Sequence, residues 1–274
     1  MKLGYICTNY NNSAFTRTAV ETLSRNIGHE IEVVVVDNNS DAANVELLKA
    51  IKADFPNVEL QLNQENLGYF PGLNVGIRAL RQRRPDIEWM VIGNNDLEFH
   101  EDFVDKLQAN VERLKAYPVV SPDVITLDGE HQNPHVVASI SKTRELFYDA
   151  YYSNYHVGMA MLKLAMMFRS VSDRTDEQQW ETAQPIYQGH GSVYVMGPAF
   201  FREFGELWAP TFMMSEEYFL SKQLSDAGYQ VWYDPCLQVV HHYHGALATL
   251  PNRRRWEMAR DAHREYRKYV RILG

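Results

Sequence analysis

Apolar positions in the first hundred residues alternate between two periods. Residues 3–7 and the β-branched run at 31–36 (IEVVVV) read as strands, the second too continuous to be half exposed, as expected of a strand covered on both faces. Between them Ala19, Val20, Leu23 and Ile27 recur at helical spacing, with Ser13 as a candidate cap and Gly28 just past the end. The unit then repeats. Val45, Leu48 and Ile51 predict a helix, residues 58–62 a strand, Leu73, Ile77 and Leu80 a helix, residues 89–92 a strand, and Phe103, Leu107, Val111 and Leu114 a further helix. Strands and helices alternating at this spacing predict an α/β fold with a mainly parallel central sheet and helices on both faces.

The second half is less regular. Residues 157–171 (VGMAMLKLAMMFRSV) read as one apolar helix whose Met159, Met161, Met166 and Met167 suit core filling, with a greasy contact surface as the sharper reading. A strand follows at 193–196, a helix begins near Glu216, and strands are expected at 229–233 and 237–240. A last helix over 253–272 carries Trp256, Ala259, His263, Tyr266, Val270 and Leu273 on one face, which suits packing against the body or contact with anionic lipid.

Each early strand ends in polar side chains: Thr8-Asn9, Asp37-Asn38-Asn39, Asn63 to Asn66, and Asn94-Asn95-Asp96. In an open α/β sheet the carboxyl ends of the strands line the ligand crevice, so these tips predict a binding site along one edge. The 274-residue chain, 45% hydrophobic, suffices for one large domain. We read a single domain of two functional halves, 1–98 and 99–250, closed by a basic amphipathic helix over 251–274.

Charge changes the picture locally. The formal net charge of −8 argues against nucleic acid as a partner, yet from Asn252 onward eight basic residues face three acidic ones, a net +5 that leaves −13 on the rest. Cys7 and Cys236 are the only cysteines, and both sit in apolar runs, which argues against a disulfide framework or thiolate zinc site and reads both as small core residues. The start of the chain lacks a signal-peptide pattern, and no apolar run reaches the roughly 18 residues of a membrane span, so a cytoplasmic setting is expected.

Several segments carry candidate chemistry. Asp96, at a strand end beside Asn94 and Asn95, is a hard-oxygen ligand suited to Mg²⁺ or Mn²⁺ shared with a diphosphate; turn formation is the bland reading. Asp37 suits hydrogen bonding to a nucleoside, or equally an Asx turn. The run from Glu65 to Gly76 brings three glycines and two amides to a helix start, where free N–H groups suit phosphate, but it lacks the dinucleotide and P-loop spacings. Glu216-Glu217 either favours a helix dipole or supplies a general base. His241, His242 and His244 end a strand, where a neutral imidazole completes metal coordination.

Taken in order, TNYN at the first strand end, VVVVDNNS, ENLGYFPGLNVGI, NND, GSVYVMGPAFF, TFMMSEEYFLSKQLSDAGYQVWYDP and VVHH resemble glycosyltransferase family 2 and its GT-A fold, in its rhamnosyltransferase-like, polysaccharide-building type. The resemblance spans about 240 residues, and the ordered set is far more specific than any one motif. It implies a nucleotide-diphosphate sugar donor, with UDP first and dTDP or GDP open, a Mn²⁺ or Mg²⁺ cofactor, and inverting transfer to a glycan or lipid-linked acceptor. By the same resemblance Asp96 and His241 hold the metal, Glu217 is the base with Glu216 as the alternative, and Asp37 contacts the nucleoside. Thr8, Asn9, Tyr10, Asn39, Asn66, Gly68, Asn74, Asn94 and Asn95 complete the donor side, and Gly191 and Ser192 the acceptor side.

The segment Asn252-Arg253-Arg254-Arg255-Trp256 resembles a degenerate QxxRW motif, which implies Arg255 on the leaving diphosphate and Trp256 near the acceptor. Departures are the Glu-Glu pair in place of Glu-Asp and Asn94 at the first position of the metal motif. A catalytically silent relative and a sugar-phosphate nucleotidylyltransferase are the alternatives. The second lacks its glycine-rich basic loop, since TNYNNS stands after the first strand. Peripheral attachment to the inner face of a membrane through the last helix is a further expectation.

Overall fold

The structure, a computed structural model, describes residues 1–138, 142–167, 176–242 and 252–270. β1 (Lys2–Asn9) pairs in parallel with β2 (Glu30–Asp37) on one side and β4 (Met90–Asn94) on the other, and β2 pairs in parallel with β3 (Val58–Leu62). Helices α1 (Ser13–Ser24), α2 (Ala42–Asp54) and α3 (Tyr69–Arg83) make the crossovers between them. Then come β5 (Leu97–Phe99), α4 (Phe103–Leu114), β6 (Val119–Thr126), α5 (Lys142–Ser153), α6 (Tyr155–Met167), β7 (Gln184–Ile186), β8 (Val193–Met196), α7 (Pro198–Glu203), α8 (Glu216–Asp226), β9 (Val231–His241) and α9 (Asn252–Tyr266).

The described strands form one sheet in the order β3-β2-β1-β4-β8-β6-β9-β5, with β7 against β9. It is parallel through its first four strands; β8 runs antiparallel between β4 and β6, and β6 and β9 are parallel again. Side-chain alternation divides the core. Tyr5, Cys7, Val33, Val35 and Val91 face α1, α2 and α4, while Ile6, Val34, Val36 and Ile92 face α3 and α8. Both faces of the central strands are therefore dry, which is why the sequence shows continuous apolar runs there.

Several expectations change. The two strands expected at 229–233 and 237–240 are one strand, β9, whose pairing with β6 shifts register at Pro122/Asp123. The extra residues around Pro235 form a bulge, and Asp234 accepts from the backbone N–H of Cys236 at 3.1 Å there. Ser13 is the first residue of α1 and Asn12 its cap position. The methionine-rich segment belongs to a pair of helices, α5 and α6, and α6 leaves Val157, Leu162 and Leu164 exposed, so it fills the core only in part. The side chains of Met166 and Met167, residues 168–171, His244 and Leu273 lie outside the described residues.

α9 buries Trp256, His263 and Tyr266 against α5, α6 and α8. The apolar face of the basic helix is thus occupied by the protein itself.

The glycines of α3 serve the sheet. A Cβ at Gly76 would stand 2.3 Å from Ile6 Cγ2, and one at Gly72 would stand 2.9 Å from Thr8 Cγ2, so both let the helix lie close on β1. Gly68, ahead of α3, has φ +90° and ψ −165°, a region that side chains exclude. A Cβ there would lie 1.9 Å from the carbonyl oxygen of Phe212, which accepts from Tyr69 N–H at 2.9 Å. The Gly68→Ala variant is expected to lose about 3 kcal/mol or more of stability, from the forbidden backbone and the backbone clash together; urea unfolding checks it.

Candidate active site

The tips of β1, β2, β4 and β9, the start of α8 and the start of α9 surround a cleft of about 470 Å³. Fourteen of the sequence-predicted residues line it: Thr8, Asn9, Tyr10, Asn66, Gly68, Asn94, Asn95, Asp96, Gly191, Ser192, Glu216, Glu217, His241 and Arg255. They come from segments as far apart in sequence as Thr8 and Arg255, gathered because every parallel strand of the first half ends at this edge.

Four expected positions stand off the cleft. Asp37 is buried behind it, its Oδ1 accepting from Asn9 Nδ2 at 2.8 Å and Ser40 Oγ at 2.5 Å and its Oδ2 from the Ser40 N–H at 2.9 Å. The Asx-turn reading therefore describes it, and its neighbour Asn38 lines the cleft instead, donating to the Gly68 carbonyl at 2.8 Å. Asn39 is exposed, with φ +64°. Asn74 is buried, its amide closing a pair of bonds to the backbone of Leu207 at 2.8 and 2.9 Å. Trp256 packs its ring against Tyr155 at 5.6 Å and lies under the Arg260 guanidinium.

Asn9 and Asn95 reach the cleft but form its floor. Asn95 Nδ2 donates to Asn9 Oδ1 at 3.1 Å, Asn12 Oδ1 at 2.8 Å and Thr16 Oγ1 at 2.7 Å, while Asn12 Nδ2 donates back to Asn95 Oδ1 at 3.0 Å. Their polar groups are occupied within the protein.

On one wall, His241 Nε2 lies 3.3 Å from Asp96 Oδ1 and 3.2 Å from Asn94 Nδ2, and both His241 and Asp96 are buried. Burial pushes the Asp96 carboxyl up, yet its hydrogen bond to His241 and smaller contributions outweigh burial and hold it below the ordinary range, so it is ionised. His241 Nδ1 is 2.8 Å from Gln132 Oε1. An amide oxygen only accepts, so Nδ1 carries a proton, and Nε2 is the nitrogen turned toward Asp96. His242 points away, 2.6 Å from Glu98.

Carboxylate plus imidazole nitrogen is a fitting donor set for a divalent cation, and among the described residues no group of three acidic, histidine or cysteine side chains encloses one. The remaining positions would fall to substrate oxygens or water. An anionic ligand meeting Asp96 would be repelled without a cation between them, so the donor set fits a metal shared with that ligand.

On the opposite wall α8 begins with Glu216 and Glu217. Met214 and Ser215, just before it, have φ +77° and +66°, two consecutive side chains in the left-handed region, the kind of strain that gathers at functional sites. Glu216 Oε1 accepts from the Met214 N–H at 2.8 Å, and burial, followed by the neighbouring Glu217, pushes its carboxyl up to about 8. Glu217 borders Gly191, where a Cβ would come within 2.5 Å of its Oε1. Glu216 is therefore the neutral partner and Glu217 the group facing open volume on two sides.

Sequence reasoning missed Tyr69, whose hydroxyl donates to the Gly191 carbonyl at 2.7 Å, and His190, whose Nδ1 is 2.9 Å from Ser192 Oγ. It also missed Gln132 and the Met213 to Ser215 turn. The positive-φ pair left no signal, since neither residue favours that conformation.

The model of glycosyl transferase family 2 matches residues 6–175, more than half of the chain. The chain belongs to glycosyl transferase family 2. Among the solved structures that resemble it are GalNAc-T7 with UDP, GalNAc and Mn²⁺ (TM-score 0.56, 14% identity, 89% of this chain and 44% of that one); the Pyrobaculum calidifontis mannosyltransferase PcManGT with GDP-Man and Mn²⁺ (0.57, 15%, 98% and 65%); and S. aureus TarS 1-349 (0.50, 12%, 86% and 60%). At these identities the likeness carries the fold, which is GT-A. The chain spans between 44% and 65% of the length of these three structures. No curated protein sequence matches it.

Glu216 binds its proton more tightly folded than unfolded, so the folded state is favoured at low pH and loses stability as pH rises from about 4.5 through about 8. Thermal melts should therefore fall by the equivalent of a few kcal/mol between pH 5 and pH 9, and Glu216→Gln should flatten the curve. Replacing Ser215 by glycine relieves its left-handed backbone at the cost of a looser unfolded chain, for a net gain of about 0.5–1 kcal/mol measured by denaturant unfolding.

Proposed function

We propose that this family 2 chain is, as one catalytic domain, a metal-dependent inverting glycosyltransferase moving a sugar from a nucleotide-diphosphate donor to an acceptor hydroxyl. The observation that carries this reading is the convergence of Asp96, His241, Arg255 and Glu217 on one cleft. UDP and GDP-Man, each with Mn²⁺, accompany two of the similar structures, which supports a nucleotide-diphosphate donor here. UDP remains the first candidate.

In this reading the donor lies over the amide floor of Asn9 and Asn95, beside Thr8, Tyr10, Asn38 and Asn66. Asp96 and His241 would hold Mn²⁺ or Mg²⁺, which when bound neutralises charge on the diphosphate. Arg255 presents a guanidinium to the leaving phosphate oxygens. Glu217 accepts the proton of the acceptor hydroxyl, whose oxygen bonds to the anomeric carbon as that carbon's bond to the diphosphate oxygen breaks. The bonding pair leaves with the nucleoside diphosphate, and a single in-line displacement inverts the centre. Glu216 stays neutral and keeps a second negative charge away from Glu217 near neutral pH, leaving Glu217 as the base.

The acceptor would be a glycan or a lipid-linked glycan. No described helix is long and apolar enough to cross a membrane. Because the apolar face of α9 is packed inward, attachment to an anionic membrane surface at the cytoplasmic side would use its exposed Arg253 and Arg254.

A panel of nucleotide-diphosphate sugars with Mn²⁺ or Mg²⁺, followed by nucleoside diphosphate release, tests the proposal. One donor should turn over; Glu217→Gln should slow it by about 10²–10⁴-fold, and Asp96→Ala should abolish metal stimulation. Binding of none of these donors would sink the reading. Gln132→Ala, which removes the acceptor that orients His241, should raise the metal concentration for half-maximal rate by about 10–100-fold.

A further inference from the structure

A second cavity, of about 250 Å³, opens on the far side of Glu217. It shares Met214, Ser215 and Glu217 with the main cleft, so one carboxylate borders both volumes. Its walls come from α5, α8 and α9 and from the strand segment at Gln188, and they are aromatic: Tyr152, Tyr218 and Tyr266, with His263 at 4.7 Å from the Tyr152 ring.

The polar groups of this wall divide into two sets. The Tyr266 hydroxyl is bonded to Glu145, and His263 Nε2 lies 2.9 Å from Asp149 Oδ1. By contrast Gln188 Nε2 is buried without a hydrogen-bond partner among the described residues. The hydroxyls of Tyr152 and Tyr218 make no hydrogen bond to a described residue either, but unlike Gln188 Nε2 they reach solvent. A buried amide without a partner costs about 1–3 kcal/mol, so Gln188 Nε2 at this cavity indicates that a ligand meets it, with the two tyrosine hydroxyls beside it available to bind the same ligand.

The chemistry of that ligand follows from the wall. A pyranose ring offers apolar C–H faces to aromatic rings and a rim of hydroxyls that both donate and accept. Gln188 and the two tyrosine hydroxyls match the rim, and the tyrosine faces match the ring. A nucleotide diphosphate fits poorly, because the cavity borders Glu217 and no lysine or arginine lines it.

Building on the transferase reading above, we propose that this tyrosine-walled cavity is the acceptor subsite and holds a terminal sugar ring, whose hydroxyl it presents to Glu217. The enzyme is then selective for a carbohydrate acceptor rather than for a protein hydroxyl or a bare lipid alcohol. The cavity's size admits one ring, so recognition is of the chain end.

Ligand-observed saturation-transfer NMR on the full chain, with a panel of methyl glycosides of common hexoses, deoxyhexoses and N-acetylhexosamines, tests this without requiring turnover. At least one glycoside should bind. Gln188→Leu, which keeps the side-chain volume, and Tyr152→Phe, which removes only a hydroxyl, should each weaken it about fivefold to tenfold, the loss of one hydrogen bond. Thermal melts of both variants establish that they are folded. The subsite is overturned by no binding of any glycoside, or by binding that both folded variants leave unchanged. UDP titration with Mn²⁺ on the wild-type protein reports the donor reading separately: nucleotide binding without glycoside binding defeats the subsite alone, and glycoside binding without nucleotide binding defeats the donor reading alone.

Discussion

The cleft depends first on a buried lattice of amide hydrogen bonds that joins the ends of three neighbouring strands. Asn9 at the end of β1 donates to Asp37 at the end of β2 and accepts from Asn95 just beyond β4, while Thr16 of α1 donates to Asn9 Oδ1 at 2.9 Å. Only an amide serves at Asn9, because it must donate to a carboxylate on one side and accept from an amide and a hydroxyl on the other. A carboxylate there would face Asp37 at close range with 0% exposure to solvent. Each bond contributes only about 1 kcal/mol net, but orphaning any member costs about 1–3 kcal/mol, so the lattice fixes the strand tips against one another. With those tips fixed, Asn94 and Asp96 stand where β4 delivers them, opposite His241 on β9.

The two glutamates at the start of α8 show how adjacent acids come to differ. Both are at the positive end of a helix, which favours charge on each. Burial decides between them: Glu216 is 7% exposed and bonded to the Met214 N–H, so its ionisation carries a desolvation cost, whereas Glu217 borders open volume on two sides. The turn that enforces this division holds two side chains at positive φ, a cost of about 1–3 kcal/mol each. The sheet provides the stability against which that strain is held, through strands whose central residues are wholly buried.

Legibility follows locality. The alternation of strand and helix, the two dry faces and the polar tips depend on side chains within a few residues of one another, and periodicity reveals them. The merged β9 was hidden because Pro235 reads as a break, whereas the bulge opposite Pro122 accommodates it. Asp37 and Asn74 look like ligand-facing residues in sequence, yet their partners are Ser40, Asn9 and a backbone loop 133 residues away. Trp256 follows Arg255 directly, but on a helix neighbours diverge by about 100°, so one faces the cleft and the other packs on Tyr155. The second cavity was out of reach for the same reason, since its walls meet only when α5, α8 and α9 pack.

Asn94 in place of an acid has a thermodynamic consequence for the proposed reaction. With one carboxylate and one imidazole on the wall, the protein offers a divalent cation two donors and a single negative charge. Most of the coordination would then come from the diphosphate and water, so metal and donor would bind as a unit, each raising the affinity for the other by the same factor. A second carboxylate would hold the cation more tightly before the donor arrives and again after the sugar has left, slowing release of the nucleoside diphosphate. Weaker holding by the protein alone would suit discharge of a nucleoside diphosphate that carries more negative charge than the donor did, and Arg255, on a helix separate from the sheet, would supply positive charge that remains when the metal leaves.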